Sequence, residues 1–194
     1  MQNSPILKRF FYYFIEWLLA KLGTTTVACG PGEYRIAKKL SHNSILINNG
    51  VDIDKLKQYW SKDSNTKNVF FTIGRINYQK DPQLFNQIAD KFPNKKFIWF
   101  GDGPLRNKLT AKNIKITGWL SSVKLFKTIQ PYKYFILCSR WEGLSSALLE
   151  AMYFKKCCFV TNVVGNKDVI YDRYNGYIFN NNIDFNKKFL MLNK

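Results

Sequence analysis

No uncharged apolar stretch in this sequence reaches the roughly 20 residues that cross a bilayer as a helix. The nearest approach, "PILKRFFYYFIEWLLAKL" from Pro5 to Leu22, is broken by Lys8, Arg9, Glu16 and Lys21. No small-residue cleavage site follows it, so neither a span nor a signal peptide is expected there. Cysteine is sparse. Cys29, Cys138, Cys157 and Cys158 lack metal-ligand spacing, and three of them sit in apolar, strand-like runs. Buried reduced thiols and a reducing compartment are therefore expected. The single histidine, His42, falls in the polar turn "SHNS" and reads as a surface residue. Acids are few: 13 Asp and Glu against 30 Lys and Arg give a formal charge of +17. Two readings of that surplus stand. It suits phosphate-bearing partners such as nucleic acid, nucleotides or anionic lipid, and it also suits coding DNA rich in A and T, which favours Lys and Asn together. Internal repeats and low-complexity tracts are absent.

What is present is a foldable chain. Its 194 residues, 46% hydrophobic and 16% aromatic, can bury one substantial core and part of a second. Pro5 to Leu22 reads as a helix, with Ser4 as cap and Pro5 at its first position. So apolar a helix packs against a larger body or lies in a membrane interface. Downstream, strand-like runs "TTTVACG", "SILINNG", "VFFTIG", "KFIWFG", "IKITGW", "YFILCS", "CCFVT" and "GYIF" alternate with helix candidates. Those are Glu33 to Leu40, Pro82 to Phe92, Pro104 to Lys112, Ser121 to Ile129, Leu144 to Phe154 and Asn166 to Tyr171. The alternation predicts an α/β fold, a parallel sheet covered by helices. The polar segment "SKDSNTKN" reads as a linker, dividing the chain into 1–60, 61–68 and 69–194.

Ligands of such sheets bind outside the carboxyl ends of the strands. After "VFFTIG" come Arg75 and Lys80; after "KFIWF" comes "GDGP", a turn with little side-chain bulk; after "YFILCS" comes "RWEG", then a helix. Arg75 can grip two phosphate oxygens with its planar fork, Lys80 adds a point charge, and amides at the Gly143 to Ser145 helix start attract anions. Carboxylates repel phosphate, so Glu142 and Glu150 suit hydroxyl-rich parts of a ligand, where an ionised acid accepts from a diol. By spacing alone, Glu150 reads rather as a solvated residue on a polar helix face.

"IGRINYQKD", "FGDGP", "ITGW" and "SRWEGLSSALLEAM", in this order, resemble the carboxy-terminal domain of retaining glycosyltransferases of the GT-B fold, the "glycosyl transferases group 1" set (family four). The resemblance covers Val69 to Phe179. Residues 1–60 resemble the end of that family's amino-terminal domain, through "EWLLAKL", "TTTVACG" and "INNGVD". The resemblance implies a Rossmann-like parallel sheet with helices on both faces, plus a partial remnant of the first GT-B domain. It implies transfer of a sugar, with retention, from a nucleotide-diphosphate sugar to a glycan or lipid-linked acceptor in polysaccharide or lipopolysaccharide synthesis. Arg75, Lys80 and Glu142 are implied as catalytic. The first two would hold the departing diphosphate electrostatically, with no metal or other cofactor. Glu142 would touch sugar hydroxyls. Gly74, Gly101, Gly103, Trp119, Gly143, Leu144, Ser145 and Glu150 are implied as donor-binding, Trp119 near the base and Glu150 on the ribose.

"VDIDK" holds Asp52 and Asp54 in D-x-D spacing, which other glycosyltransferases use for metal, but its place before a polar helical stretch reads as helix capping. Three departures from the family stand out: most of the amino-terminal domain is missing, "VVGNKDVI" replaces a glycine pair, and "FKKCCF" replaces a G-x-P step. A truncated or split donor-binding half is therefore expected. It would work with a separate amino-terminal domain or self-associate, and lie in the cytoplasm, peripherally on the anionic inner face of the membrane. A noncatalytic nucleotide-sugar module of the same fold is the alternative. A basic nucleic-acid-binding protein is the weaker alternative; nucleic acid is not expected as a partner, because no helix concentrates the lysines and the aromatics are not interleaved with exposed cations.

Overall fold

The computed structural model of the protein describes residues 6–23, 25–60 and 66–192. The chain forms two compact units, Met1–Asn49 and Gly50–Lys194. The first holds helix α1 (Ile6–Leu22), strand β1 (Thr26–Ala28), helix α2 (Pro31–Leu40) and strand β2 (Ser44–Leu46). β1 and β2 run parallel, Val27 beside Ile45. Pro31 opens α2, where a missing N–H breaks no helical bond. Glu33 accepts from the backbone N–H and the thiol of Cys29, at 3.2 and 2.8 Å. The aromatic residues of α1 are largely exposed, Phe10 to 77%. The Ser4 cap and Pro5 start expected for this helix lie outside the described residues. No described helix is long and apolar enough to cross a membrane.

The second unit is built on β3 (Lys67–Ile73), β4 (Lys96–Phe100), β5 (Ile114–Ile116), β6 (Tyr132–Leu137), β7 (Cys157–Thr161) and β8 (Tyr177–Phe179). All six run parallel in the order β5-β4-β3-β6-β7-β8. Strand side chains alternate between faces, and both faces are apolar. Phe70, Phe97, Tyr134 and Phe159 enter one core with Phe85 and Ile88 of α4 (Pro82–Lys91) and Phe185 and Phe189 of α8 (Asn182–Met191). Phe71, Phe100, Phe135 and Val160 enter the other, with Leu56 of α3 (Ile53–Lys57), Phe126 of α5 (Ser122–Ile129) and Leu148 of α6 (Ser146–Tyr153). A short helix, α7 (Val164–Lys167), follows β7. The expected α/β architecture, helices on both faces of a parallel sheet, is what the chain adopts.

Three expectations differ from the structure. Pro104 to Lys112 is not a helix but a single 3-10 turn at Arg106–Lys108. Its backbone donors are taken elsewhere: Leu105 donates to the Ile76 carbonyl, and Thr110 and Ala111 both donate to the side-chain oxygen of Asn86, at 2.7 and 2.8 Å. The Asn166 to Tyr171 helix is displaced to α7, whose Gly165 N–H is drawn to the Glu142 carbonyl. The division at 61–68 is placed differently too. The compact units part at Asn49, since α3 buries Leu56 in the second core and Lys67 and Asn68 already belong to β3. Residues 61–65 lie outside the described residues. α8 was not foreseen, because only Phe185 and Phe189 mark its buried side in a polar segment.

Candidate functional site

The chain runs β3, β4, β5 toward one edge and then returns to place β6 on the other side of β3. At such a switch point the connections leave the two central strands in opposite directions, opening a crevice outside their carboxyl ends. The loops bordering it are 74–81 after β3 and 138–145 after β6.

Side chains from these two loops meet in the crevice. The Lys80 ammonium donates to Glu142 Oε1 at 2.5 Å, and the Ser139 hydroxyl donates to the same oxygen at 2.5 Å. The pair is sheltered, with Lys80 16% and Glu142 7% exposed in their side chains. Behind it runs a buried polar relay: Thr161 Oγ1 donates to the Ser139 carbonyl at 2.6 Å, and Asn166 Nδ2 donates to the Thr161 carbonyl at 3.0 Å. Lys80 is positioned by its own N–H, which donates to Asn77 Oδ1, and by Gly74, whose bare Cα lies against the Lys80 stem.

The glycines fix the loops. A Cβ on Gly101 would lie 2.1 Å from the Gly74 carbonyl oxygen, and one on Gly103 2.4 Å from that of Ile76. The space that "GDGP" leaves is therefore filled by the backbone of 74–76, which Gly74 N–H and Ile76 N–H tie down through the carbonyls of Phe100 and Asp102. Gly165 is tighter still, its Cβ position 1.3 Å from the Gly143 carbonyl oxygen.

The remaining expected residues surround this centre. Arg75 is exposed at the end of β3 and makes no hydrogen bond or ion pair among the described residues. Leu144 and Ser145 are buried ahead of α6; Ser145 is its N-cap, but the hydroxyl makes no cap bond, leaving first-turn amides without a side-chain partner. Trp119 is 64% exposed after Gly118, which sits at φ +73°. Glu150 is half-buried on α6, where burial raises its carboxyl above the usual 4.5 and the nearby Lys55 charge partly offsets this. No hydrogen bond or ion pair among the described residues joins Arg75, Trp119 or Glu150 to the Lys80–Glu142 pair. Ser139, Thr161 and Asn166 were not singled out in the sequence, where a Ser, Thr or Asn beside a strand is unremarkable; only the fold brings them into line.

Among the described residues no three His, Cys, Asp or Glu side chains are placed to share a metal. Asp52 caps α3, accepting from the Lys55 N–H at 3.0 Å, as expected from the sequence. Burial pushes the Cys157 thiol up to about 11 and raises Cys138 and Cys158 as well, so these thiols stay protonated at neutral pH.

The profile of the family described as "Glycosyl transferases group 1" matches residues 53–191. An Escherichia coli protein named UDP-Gal:alpha-D-GlcNAc-diphosphoundecaprenol alpha-1,3-galactosyltransferase is 29% identical over 89% of this chain and 52% of its own length. A Campylobacter jejuni protein named GalNAc-alpha-(1->4)-GalNAc-alpha-(1->3)-diNAcBac-PP-undecaprenol alpha-1,4-N-acetyl-D-galactosaminyltransferase is 33% identical over 58% of this chain and 34% of its own. The chain thus spans about half, or a third, of the relatives it matches. A crystal structure of a TarM variant from S. aureus, in complex with Fondaparinux, alpha-GlcNAc-glycerol and UDP, superposes with a TM-score of 0.77 at 22% identity, covering 98% of this chain and 41% of that one. At that identity the likeness is one of fold.

Proposed function

The chain belongs to the glycosyl transferases group 1 family, and from that premise we propose that its second unit holds a nucleotide-diphosphate sugar in the crevice between β3 and β6, for retaining transfer to a glycan or lipid-linked acceptor. The carrying observation is the Lys80–Glu142 pair, which joins a cation and a carboxylate at the switch point. Arg75, free at the end of β3, and Lys80 take the diphosphate and its leaving charge, so that no metal is required. Glu142 keeps its second oxygen for sugar hydroxyls, Glu150 takes the ribose diol, and Trp119 lies by the base. The Escherichia coli relative's name carries UDP-Gal and diphosphoundecaprenol and the Campylobacter jejuni relative's carries PP-undecaprenol, which supports a nucleotide-sugar donor and a lipid-linked acceptor in surface polysaccharide synthesis. Calorimetric titration with UDP, GDP and ADP, alone and as nucleotide sugars, tests the reading and identifies the base. Binding of none of them overturns it.

The two acids are expected to behave differently. Glu150→Gln should weaken plain nucleotide and nucleotide sugar alike, roughly tenfold for a lost charge-assisted bond, whereas Glu142→Gln should weaken mainly the sugar-bearing ligand. Equal losses on plain UDP would mean that the roles are wrongly divided. Glu150→Gln should also raise the unfolding midpoint of the ligand-free chain at neutral pH. The folded carboxyl titrates above its unfolded value, so stability falls as pH rises from 4.5 through the folded pKa, and removing the ionisable group removes that loss. The gain should vanish well below pH 4.5.

Transfer itself we assign to a larger body. Among the described residues the first unit has two strands of three residues each, too little sheet to build an acceptor pocket. Residues 1–194 alone should therefore bind donor without transferring it, requiring an amino-terminal domain or a second copy. Robust transfer from radiolabelled nucleotide sugar in a membrane extract lacking such a partner overturns this.

Attachment to the cytoplasmic membrane face is a further part of the proposal, supported by the +17 charge and the exposed aromatics of α1. Each Lys or Arg near anionic lipid contributes about 1 kcal/mol, so cosedimentation with anionic vesicles should be strong at low salt and fall as salt rises. No binding at low salt would exclude it.

A further inference from the structure

Two large rings border the crevice without a part in the donor assignments above. Tyr78 and Trp141 are 49% and 42% exposed, with ring centroids 5.9 Å apart and planes at 49°. A lone exposed aromatic is ordinary, but this pair is fixed from both loops. The Arg140 guanidinium lies 4.5 Å over the Tyr78 ring and is bound at 2.8 Å to Asp81. Asp81 is held in turn as the cap of α4, accepting from the Leu84 N–H. The Arg140 N–H donates to the Gln79 carbonyl at 2.8 Å, and the Gln79 amide donates to the Trp141 carbonyl at 3.1 Å. One face of Tyr78 is thus closed by a cation, and its exposed surface lies on what remains.

The rings are held in advance of any ligand, so little ordering is left to oppose binding. Trp141 immediately precedes Glu142 and Tyr78 stands two residues before Lys80, so both rings are tethered to the charged pair. An aromatic face is electronegative; it disfavours phosphate and favours the weakly positive C–H rows on the face of a pyranose. We propose that Tyr78 and Trp141 form a stacking platform for a sugar ring, either that of the donor or the terminal ring of the acceptor. The inference rests on the donor-binding reading above and adds the contact that selects for carbohydrate beyond the nucleotide.

The test compares wild type with Trp141→Ala, Tyr78→Ala and Trp141→Phe. Three probes are titrated: UDP, a set of UDP-sugars (galactose, glucose, N-acetylglucosamine), and N-acetylglucosamine diphosphate on a short alkyl chain. The Gln79 bond to Trp141 goes to the main chain and survives these changes. Each alanine variant should leave UDP affinity unchanged and weaken the UDP-sugars, the alkyl diphosphate sugar or both by roughly three- to tenfold, with Trp141→Phe restoring most of it. Loss confined to the UDP-sugars assigns the platform to the donor, and loss confined to the alkyl diphosphate sugar assigns it to the acceptor. Unchanged affinity for every sugar-bearing probe, or an equal loss on plain UDP, overturns the platform while wild-type UDP binding keeps the donor reading intact. A wild type that binds none of the probes overturns both.

Discussion

Gly165→Ala is expected to cost the second unit at least about 3 kcal/mol of stability, in the range reserved for substitutions that force a backbone to move. The new methyl would lie 1.3 Å from the Gly143 carbonyl oxygen and 2.9 Å from that of Glu142. Neither is the end of a flexible side chain, so relief requires shifting the segment that carries Glu142 and opens α6. Gly118→Ala is the control. Its Cβ meets nothing within 4 Å, and only the left-handed φ of +73° opposes it, a cost of about 1–2 kcal/mol. Urea denaturation followed by far-UV circular dichroism measures both. A loss under about 1 kcal/mol for Gly165→Ala would mean that the 142–143 backbone yields easily, and the crevice would then be softer than its geometry suggests.

The second large effect separates two cations that are both assigned to phosphate. Arg75→Ala should weaken UDP or GDP binding roughly ten- to hundredfold, the value of one or two charge-assisted bonds. It should leave stability within about 0.5 kcal/mol, because the side chain is exposed and unpaired among the described residues. Lys80→Met should reduce binding at least tenfold and also cost about 2–3 kcal/mol of stability, since it strands the sheltered Glu142 carboxylate with Ser139 as its remaining donor. Adding Glu142→Gln to Lys80→Met should recover part of that stability and none of the affinity. Unchanged affinity in Arg75→Ala would remove the residue from the site.

Much of this was legible beforehand, for physical reasons that differ by element. Runs such as "VFFTIG" and "YFILCS" are buried on both faces, so continuous β-branched and aromatic residues mark them even without alternation. Asp52 caps its helix through its own side chain, a local interaction that sequence shows directly, whereas Ser121, read as the first residue of a helix, is the cap just before it. Residues 104–112 were misread because their backbone donors go to Asn86 and Ile76, partners supplied by tertiary structure. The site divides the same way. Arg75, Lys80, Glu142 and Glu150 were visible as strand-end charges or as matches to a family pattern. Their sequence positions carry no sign that Lys80 and Glu142 would bond to each other, that Ser139, Thr161 and Asn166 would stand behind them, or that the glycines of "GDGP" would be occupied by neighbouring backbone.

The place of β6 beside β3 has a consequence for how the protein is made. Phe70 pairs with Tyr134 and Phe71 with Phe135, so during synthesis β3 leaves the ribosome well before its second neighbour exists. Until Leu137 has emerged, the nascent sheet of β3, β4 and β5 presents an open, phenylalanine-rich edge, the kind of surface that pairs with other chains. Closure of that edge is a long-range event and hence slow relative to forming the β3–β4 pair. It is also the event that first brings Lys80 to Glu142. Docking of β6 then passes the open edge to β6 itself, whose far side stays unpaired until β7 is made, so the binding crevice should begin to form before the need for a chaperone ends.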